Sequence, residues 1–387
     1  MDFSIFLTSH SSDSVQAYQN KENSLGSKVA FHTGEEIDNK YDLAIIGVKE
    51  SRGSTVSSVK ESPDFVRQHL YGLFSDVNCR IIDLGNIIQG ETPQDTLFAL
   101  SEMTAELVKK EIIPIVIGGS QELTLGIYKA FEKLEQVVNL TTIDRKIDFE
   151  YTNSTSADTY LKDIILSQPN YLFNYSNLGS QSYYLNPEHL KMVDKLHFDN
   201  TRLGALQQEI SLAEPVLRNT NILSFDLNSI RQSEVPGTSF ASPNGFFGNE
   251  ACQLSRYAGM SDKMNAIGFF EMTPEFDIMG QTAHLVAQMI WFFIEGFQLR
   301  KNETPLSNNK NYTQYKVVLS ASEEELIFIK SAKSDRWWMK IPYPPSKKLK
   351  FQRHHLVPCS YGDYQVALKD EMPNLWVKTY SKININP

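Results

Sequence analysis

Short, continuously apolar runs alternate with longer segments of helical spacing over residues 42–300. The apolar runs predict strands buried on both faces, because a strand with one face in water alternates between apolar and polar positions. Such runs lie at 43–48, 80–85, 112–117, 136–143, 171–175, 221–226 and 265–270. Helices are predicted after Ser62, after the cap-like Thr92, over 123–134 and over 285–298. This rhythm predicts a three-layer αβα fold with a central, mostly parallel sheet.

The pattern changes after residue 300. A polar segment at 301–311 predicts a linker, and strand-like runs follow at 315–319, 325–329 and 337–341. We therefore divide the chain into an αβα body at 1–300, a linker at 301–311 and a small β-rich extension at 312–387. From Lys301 onward, 14 Lys and Arg stand against 8 Asp and Glu, so this part carries +6 and residues 1–300 carry −15. A basic extension beside an acidic body suggests two units.

Composition excludes several classes of protein. The net charge of −9 disfavours a nucleic-acid binder. The three cysteines are far apart and form no CxxC motif, so free thiols in a reducing compartment are expected. We predict no signal peptide and no membrane span, because the most apolar stretch, 285–297, is too short to cross a bilayer. These features together predict a cytoplasmic protein.

Polar residues gather where four of the predicted strands end. The first group is Gly-Gly-Ser-Gln-Glu at 118–122, and the second is Asp-Arg-Lys-Ile-Asp at 144–148. The third is Ser-Phe-Asp-Leu-Asn at 224–228, and the fourth contains Glu271 and precedes Gly-Gln-Thr-Ala at 280–283. In open α/β sheets, ligands bind at the carboxyl ends of the strands, so these four groups predict one site.

This ordered set resembles the ureohydrolase family of arginase, agmatinase and, most closely, formimidoylglutamase. The family motifs are Gly-Gly-x-His, Asp-Ala-His-x-Asp, Ser-Phe-Asp-x-Asp with a following Pro-Gly, and a late Glu before Gly-x-Thr-Ala. The resemblance implies an αβα fold in which two Mn²⁺ ions share a hydroxide that attacks a guanidinium or amidinium carbon. It is also compatible with a homo-oligomer.

The chain departs from the family at the residues that the resemblance assigns to metal binding. No histidine lies between His69 and His189, although both metal-binding imidazoles belong in that interval. Gln121 stands at the first histidine position and Lys146 at the second. A lysine ammonium cannot coordinate a metal, because it has no acceptor. The proton-shuttling histidine of the family also has no counterpart in 149–158.

The acidic positions are better preserved. Asp144, Asp148 and Asp226 match family carboxylates, whereas Asn228 replaces an Asp. The resemblance therefore implies at most one weak metal site, formed by the three retained aspartates. Glu271 matches the family residue that faces the substrate guanidinium, so we assign it to ligand binding. No residue is assigned a catalytic role.

We hypothesise that the Lys146 ammonium fills the space of a lost metal ion and neutralises Asp144 and Asp226, since buried carboxylates need a counter-charge. The plainer alternatives are a solvated surface lysine at 146, aspartates that merely cap strand-to-helix turns, and a surface carboxylate at Glu271. The leading prediction is a pseudoenzyme that has lost its binuclear centre and binds a small molecule or a protein partner. For such a protein we expect no cofactor. The first alternative is a hydrolase of linear amidines or guanidines that uses a single Mn²⁺ held by Asp144, Asp148, Asp226 and Gln121. The second is a scaffold that acts through its extension.

Overall fold

The computed structural model describes residues 5–34, 37, 40–56, 62–152, 154–303, 305, 311–320, 323–343 and 354–385. Its strands are β1 Leu7–Thr8, β2 Ala30–Phe31, β3 Leu43–Val48, β4 Ile81–Ile87, β5 Ile113–Ile117, β6 Val138–Ile143, β7 Leu172–Ser180, β8 Asp199–Arg202, β9 Ile222–Asp226, β10 Ala266–Phe270, β11 Tyr312–Val318, β12 Glu325–Ser331, β13 Trp337–Lys340 and β14 Leu356–Cys359. Its α-helices are α1 Ser12–Gln19, α2 Ser62–Leu70, α3 Pro93–Lys109, α4 Leu123–Lys133, α5 Tyr160–Leu166, α6 Pro187–Lys195, α7 Leu203–Gln208, α8 Ala213–Arg218, α9 Gly248–Gly259, α10 Gln281–Gln298, α11 Tyr361–Leu368 and α12 Asn374–Ile385.

A ten-stranded sheet forms the centre of the body. Its order is β1-β4-β3-β5-β10-β9-β6-β7-β8, and β2 also pairs with β4. All pairings are parallel except that of β1 with β4. Because parallel strands need crossover connections, helices link them and cover the sheet. This architecture confirms the predicted αβα fold with a mostly parallel sheet.

Two apolar cores sandwich the sheet. One contains buried side chains of α2, α7, α8, α9 and α10, and the other contains those of α3, α4, α5 and α6. Strand β5 illustrates the arrangement, since Ile115 and Ile117 belong to the first core and Val116 belongs to the second. The continuous apolar runs of the sequence therefore reflect strands buried on both faces, as predicted.

Local signals position the helices. Thr92 caps α3, and its side chain and that of Asp95 exchange hydrogen bonds with each other's backbone, with Pro93 in the first turn. Helix α10 begins at Gln281, four residues before the predicted start, and Gly280 adopts a left-handed conformation immediately before it. No helix in the described ranges is long and apolar enough to cross a membrane. All three cysteines are free.

The extension forms a second, antiparallel sheet in the order β11-β12-β13-β14. Two helices, α11 and α12, pack with it around their own apolar core, and neither helix was predicted from the sequence. Arg218 of the body joins the two units, since its guanidinium donates to the carbonyls of Trp337 and Cys359 and lies 4.6 Å from the Trp338 ring. Residues 304 and 306–310 of the predicted linker lie outside the described residues, and the domain boundaries stay a prediction.

Candidate active site

Four neighbouring strands bring the predicted site together. In the sheet β5, β10, β9 and β6 lie side by side, and the four polar groups occupy their carboxyl ends. The turn after β5 requires glycine, because Gly119 has φ +75° and a Cβ there would lie 2.3 Å from the Glu50 carbonyl oxygen. Glu271 follows β10 with φ +70°, a strained conformation for a residue with a side chain.

Four buried acids form what we call the carboxylate cluster: Asp144, Asp148, Asp226 and Glu271. Each is 5 % exposed or less. Burial, followed by repulsion from a neighbouring acid, raises the pKa of Asp144, Asp226 and Glu271 to about 7. The same causes raise the pKa of Asp148 well above its usual value. The cluster is therefore short of positive charge at neutral pH.

Lys146 supplies part of that charge. Its ammonium lies 3.1 Å from the Asp148 carboxylate and also pairs with Asp158. Burial lowers the pKa of Lys146, but attraction from Asp148, Asp144 and Asp158 outweighs it and the pKa is raised. Among the described residues, no oxygen of Asp226 lies within 4 Å of this ammonium. Lys146 therefore compensates Asp148, Asp158 and, without a direct ion pair, Asp144, whereas Asp226 lies beyond its ion-pair distance.

A second cation, Arg145, acts on Asp226 at longer range, since no ion pair within 4 Å joins these two described residues. Its charge lowers the pKa of Asp226, although burial and Glu271 raise it by more. The guanidinium is held by a 2.8 Å hydrogen bond to the Phe240 carbonyl and lies 4.6 Å from the Tyr184 ring. Sequence reasoning did not single out Arg145. The signal was present, because the family motif has a small alanine at this position.

The two amides at family metal positions act as hydrogen-bond donors. The Asn228 amide nitrogen donates to Asp226 Oδ1 at 2.9 Å. In the orientation that satisfies both of its polar atoms, the Gln121 amide donates to Asp148 at 3.0 Å and to Asp144 at 3.2 Å and accepts from the Tyr160 hydroxyl. Both amides thus present N–H groups to the carboxylates where a metal ligand would present a lone pair.

Glu271 is tied to neighbouring groups. One of its carboxylate oxygens accepts from the Ser54 hydroxyl and the other from the Gln121 backbone amide, each at 2.8 Å. Ser54 and Asp158 were both missed in the sequence. Each lies in a loop whose approach to the strand ends depends on tertiary structure, so periodicity gave no signal for either.

Little space remains among these side chains. A cavity of about 10 Å³ has Arg145, Lys146, Phe240 and three of the four cluster acids, all but Asp144, in its lining. This volume suits roughly one water molecule, whereas pockets for small-molecule ligands span about 300–1,000 Å³. The two cations and the aromatic ring thus fill the space beside the carboxylates.

The side chains present do not fit a pair of metal ions. Within the part of the chain that the structure describes, no three His, Cys, Asp or Glu side chains are arranged to hold a metal. The ammonium of Lys146 and the amide of Asn228 point N–H groups at two of the acids that would be ligands. Asp144, Asp148 and Asp226 keep family carboxylate positions, but to hold even a single cation their side chains and Lys146 would have to move.

Comparison with known proteins identifies the fold family. The model of the arginase family matches residues 41–295. The chain belongs to the arginase family. Formimidoylglutamase of Photorhabdus laumondii is 25 % identical over 263 residues, covering 63 % of this chain and 80 % of the relative. Formimidoylglutamase of Staphylococcus carnosus is 22 % identical over 273 residues, covering 67 % and 88 % respectively.

Solved structures agree on the fold of this arginase-family chain. Formiminoglutamase of Trypanosoma cruzi with Mn²⁺ superposes with a TM-score of 0.63 at 18 % identity, over 69 % of this chain and 96 % of that one. Formimidoylglutamase of Bacillus subtilis has the same TM-score and identity, over 70 % and 91 %. The resemblance to formimidoylglutamase seen in the sequence is thus confirmed at the level of family and fold.

One expectation was wrong. The sequence led us to expect no cofactor, yet the T. cruzi formiminoglutamase of the same fold is described with Mn²⁺ bound. The expectation gave the loss of two histidines and one aspartate more weight than the three aspartates that remain. Three buried aspartates survive, and their shared shortage of positive charge is the condition under which a divalent cation binds.

Proposed function

We propose that this arginase-family protein is a formimidoylglutamase-like member that binds a ligand or a protein partner and does not form the bridged two-manganese centre. The observation that carries this proposal is the filled site. Lys146 and Arg145 stand beside the carboxylate cluster, and a cavity of about 10 Å³ is left. A linear amidine substrate cannot enter a space of that size, and the lysine ammonium cannot ligate a metal.

The absence of a proton carrier supports the same conclusion. Hydrolysis of an amidine needs a group that delivers a proton to the departing nitrogen, and histidine usually performs this task. The loop after Asp148 instead contributes Asp158, whose carboxylate is engaged by Lys146. Asp144, Asp226 and Glu271 have pKa values raised to about 7, but each is 5 % exposed or less, so none of them is placed to exchange protons with solvent as the missing imidazole would.

A second candidate function rests on the retained acids. Asp144, Asp148 and Asp226 are buried together and would hold one divalent cation, which would supply an activated water for hydrolysis of a linear amidine. This candidate requires Lys146 to leave Asp148 and the cavity to open. It therefore predicts activity that depends strongly on added Mn²⁺.

One experiment separates the two candidates. Purified protein is incubated with excess Mn²⁺, its metal content is measured, and formimidoylglutamate, arginine and agmatine are tested as substrates. The comparator is the triple variant Gln121→His, Lys146→His, Asn228→Asp, which restores the family ligands. We expect at most one manganese ion per wild-type chain, negligible turnover, and a higher metal content in the variant. About two ions per wild-type chain, the stoichiometry of a shared-hydroxide site, would refute the proposal. Robust Mn²⁺-dependent release of formamide or urea would favour the one-metal hydrolase.

A further inference from the structure

A cavity of about 240 Å³ lies between the body and the extension. We call it the basal cavity, because it lies at the opposite edge of the sheet from the candidate active site. Asn139, near the start of β6, lines it, whereas Asp144 follows the end of the same strand. Five residues of strand place the two sites on the order of 16 Å apart. The family match ends at residue 295, so the wall formed by the extension lies outside the residues matched to the family.

A buried lysine faces the basal cavity. Lys382 of α12 is 6 % exposed, and its ammonium donates to the Asn174 side-chain oxygen. The nearby carboxylate of Asp199 is paired with Lys378 at 2.9 Å and also accepts from Asn174. Within the described ranges, no carboxylate lies within ion-pair distance of Lys382. Burial lowers its pKa to about 8 although Asp199 attracts the ammonium, so at neutral pH Lys382 carries a charge that Asp199, already paired with Lys378, compensates only in part.

Asn139, which also lines this space, carries a buried acceptor without a hydrogen-bond partner in the described residues. The Asn139 side chain is 2 % exposed, and its nitrogen donates to the Asn219 carbonyl at 2.6 Å. Its Oδ1 accepts no hydrogen bond from the described residues. A buried acceptor without a donor costs roughly 1–3 kcal/mol, so a group that donates to it from the cavity would be stabilising.

The remaining walls combine apolar and polar side chains, and the polar ones include Asp363. Val216 of α8, Leu375 of α12, Phe173 and Val357 contribute apolar surface. A buried cation beside apolar surface matches a small molecule that is charged in one part and apolar in another. The volume lies somewhat below the ~300–1,000 Å³ of drug-sized pockets, which suits a small metabolite.

We propose that the basal cavity binds a small organic carboxylate that also carries a hydroxyl or amino group. The carboxylate pairs with Lys382, the hydroxyl or amino hydrogen donates to Asn139 Oδ1, and the carbon chain contacts Val216 and Leu375. Because the site is remote from the carboxylate cluster, this proposal stands or falls independently of the proposed function.

The first test compares a carboxylate with its neutral amide. The full-length chain is titrated by calorimetry with 2-hydroxyisocaproate and, separately, with 2-hydroxyisocaproamide, which has the same shape without the charge. We expect saturable binding of the carboxylate at one site per chain and at least tenfold weaker binding of the amide. Equal binding of the two compounds would overturn the proposal. So would the absence of carboxylate binding at ligand concentrations up to about 10 mM, since even a very weak site would be detected there.

The second test uses variants. Lys382→Met should weaken carboxylate binding at least tenfold and should raise or leave unchanged the melting temperature of the unliganded protein, because it removes an unpaired buried charge. Lys369→Met, at an exposed position on the same unit, is the matched control and should bind as the parent does. Val216→Phe fills the cavity and should abolish binding, although it leaves both Lys382 and Lys378 unchanged. Unchanged affinity in Lys382→Met, or a large loss of its unliganded stability, contradicts the proposal. If that variant does not fold, unchanged binding in Val216→Phe contradicts it.

Discussion

Replacing Lys146 with methionine removes the cation beside Asp148 and keeps the length of the side chain. The ammonium lies 3.1 Å from the carboxylate, and their side chains are 28 % and 1 % exposed. Coulomb attraction at this distance amounts to ~5 kcal/mol for an effective dielectric constant of about 20. Hydration of the partly exposed lysine and protonation of Asp148 offset part of it. We expect a net loss of about 2–3 kcal/mol at pH 8.

The loss should depend on pH with a definite sign. Without Lys146, the folded pKa of Asp148 rises further above its unfolded value, so the folded state holds a proton that the unfolded state releases. The destabilisation should therefore be larger at pH 8 than at pH 6. Added Mn²⁺ or Mg²⁺ should restore part of the stability, because a cation that binds only the folded state stabilises it.

The assay is urea denaturation of parent and variant at pH 6 and pH 8, with and without divalent cation. Lys109→Met is the matched control, since Lys109 pairs with Glu106 on an exposed helix surface and such pairs contribute about 0–1 kcal/mol. If Lys146→Met unfolds like the parent at both pH values and ignores metal, the lysine points to solvent. Lys146 would then not compensate the charge of Asp148.

Three further predictions follow from other contacts. The parent protein should lose at least about 3 kcal/mol of folding free energy between pH 5 and pH 8 in urea titrations. The cluster acids have folded pKa values of about 7, so their contribution to stability is complete below about pH 4, the unfolded pKa, and is lost as the pH rises through about 7. Arg67→Met, which strands the buried Asp83, should cost ~3–5 kcal/mol by urea denaturation, whereas Arg80→Met at an exposed pair should cost less than about 1 kcal/mol. Gly119→Ala should prevent stable folding or lower the melting temperature by many degrees, whereas Gly204→Ala, with open space around its Cβ, should change it little; equal melting of the two variants would contradict the close approach at Gly119.

Much of the body could be predicted because its strands are short apolar runs and its helices carry local caps. Thr92 with Asp95 and the apolar run 43–48 are signals contained within a few residues. The edge strands β1, β2 and β8 were missed, since strands of two to four residues leave no period to detect. Helix α12 was missed because it follows three predicted strands and carries no cap of its own in the sequence.

The candidate site was likewise predicted only in part. Residues inside the motifs were located from the sequence, since a strand end fixes where Asp144 and Asp226 lie. The cations that compensate the charge of these acids were not located from the sequence, because they depend on which side chains of other segments contact the strand ends. The pairing of Lys146 with Asp158 spans a loop of twelve residues, and the assignment of Arg145 to Asp226 depends on Phe240 holding the guanidinium. Long-range contacts of this kind have no local sequence signature.

The charge balance of the site leads to a last prediction. Two Mn²⁺ ions would bring four positive charges to the carboxylate cluster, whereas Lys146 and Arg145 bring two. The remaining acids therefore either keep protons, as their raised pKa values indicate, or accept one divalent cation. These outcomes compete, because a carboxylate must lose its proton before it can ligate a metal.

Binding of Mn²⁺ should consequently strengthen as pH rises through about 7 and should release protons. Calorimetric titration at pH 6 and pH 8, in two buffers with different ionisation enthalpies, measures both effects. Asp226→Asn removes one of the acids that would have to ionise and should reduce both the affinity and the number of protons released. Asp163→Asn is the matched control, since Asp163 is a partly exposed acid outside the cluster. Affinity that is independent of pH, with no proton release, would show that the cation binds elsewhere and that the retained aspartates serve the fold alone.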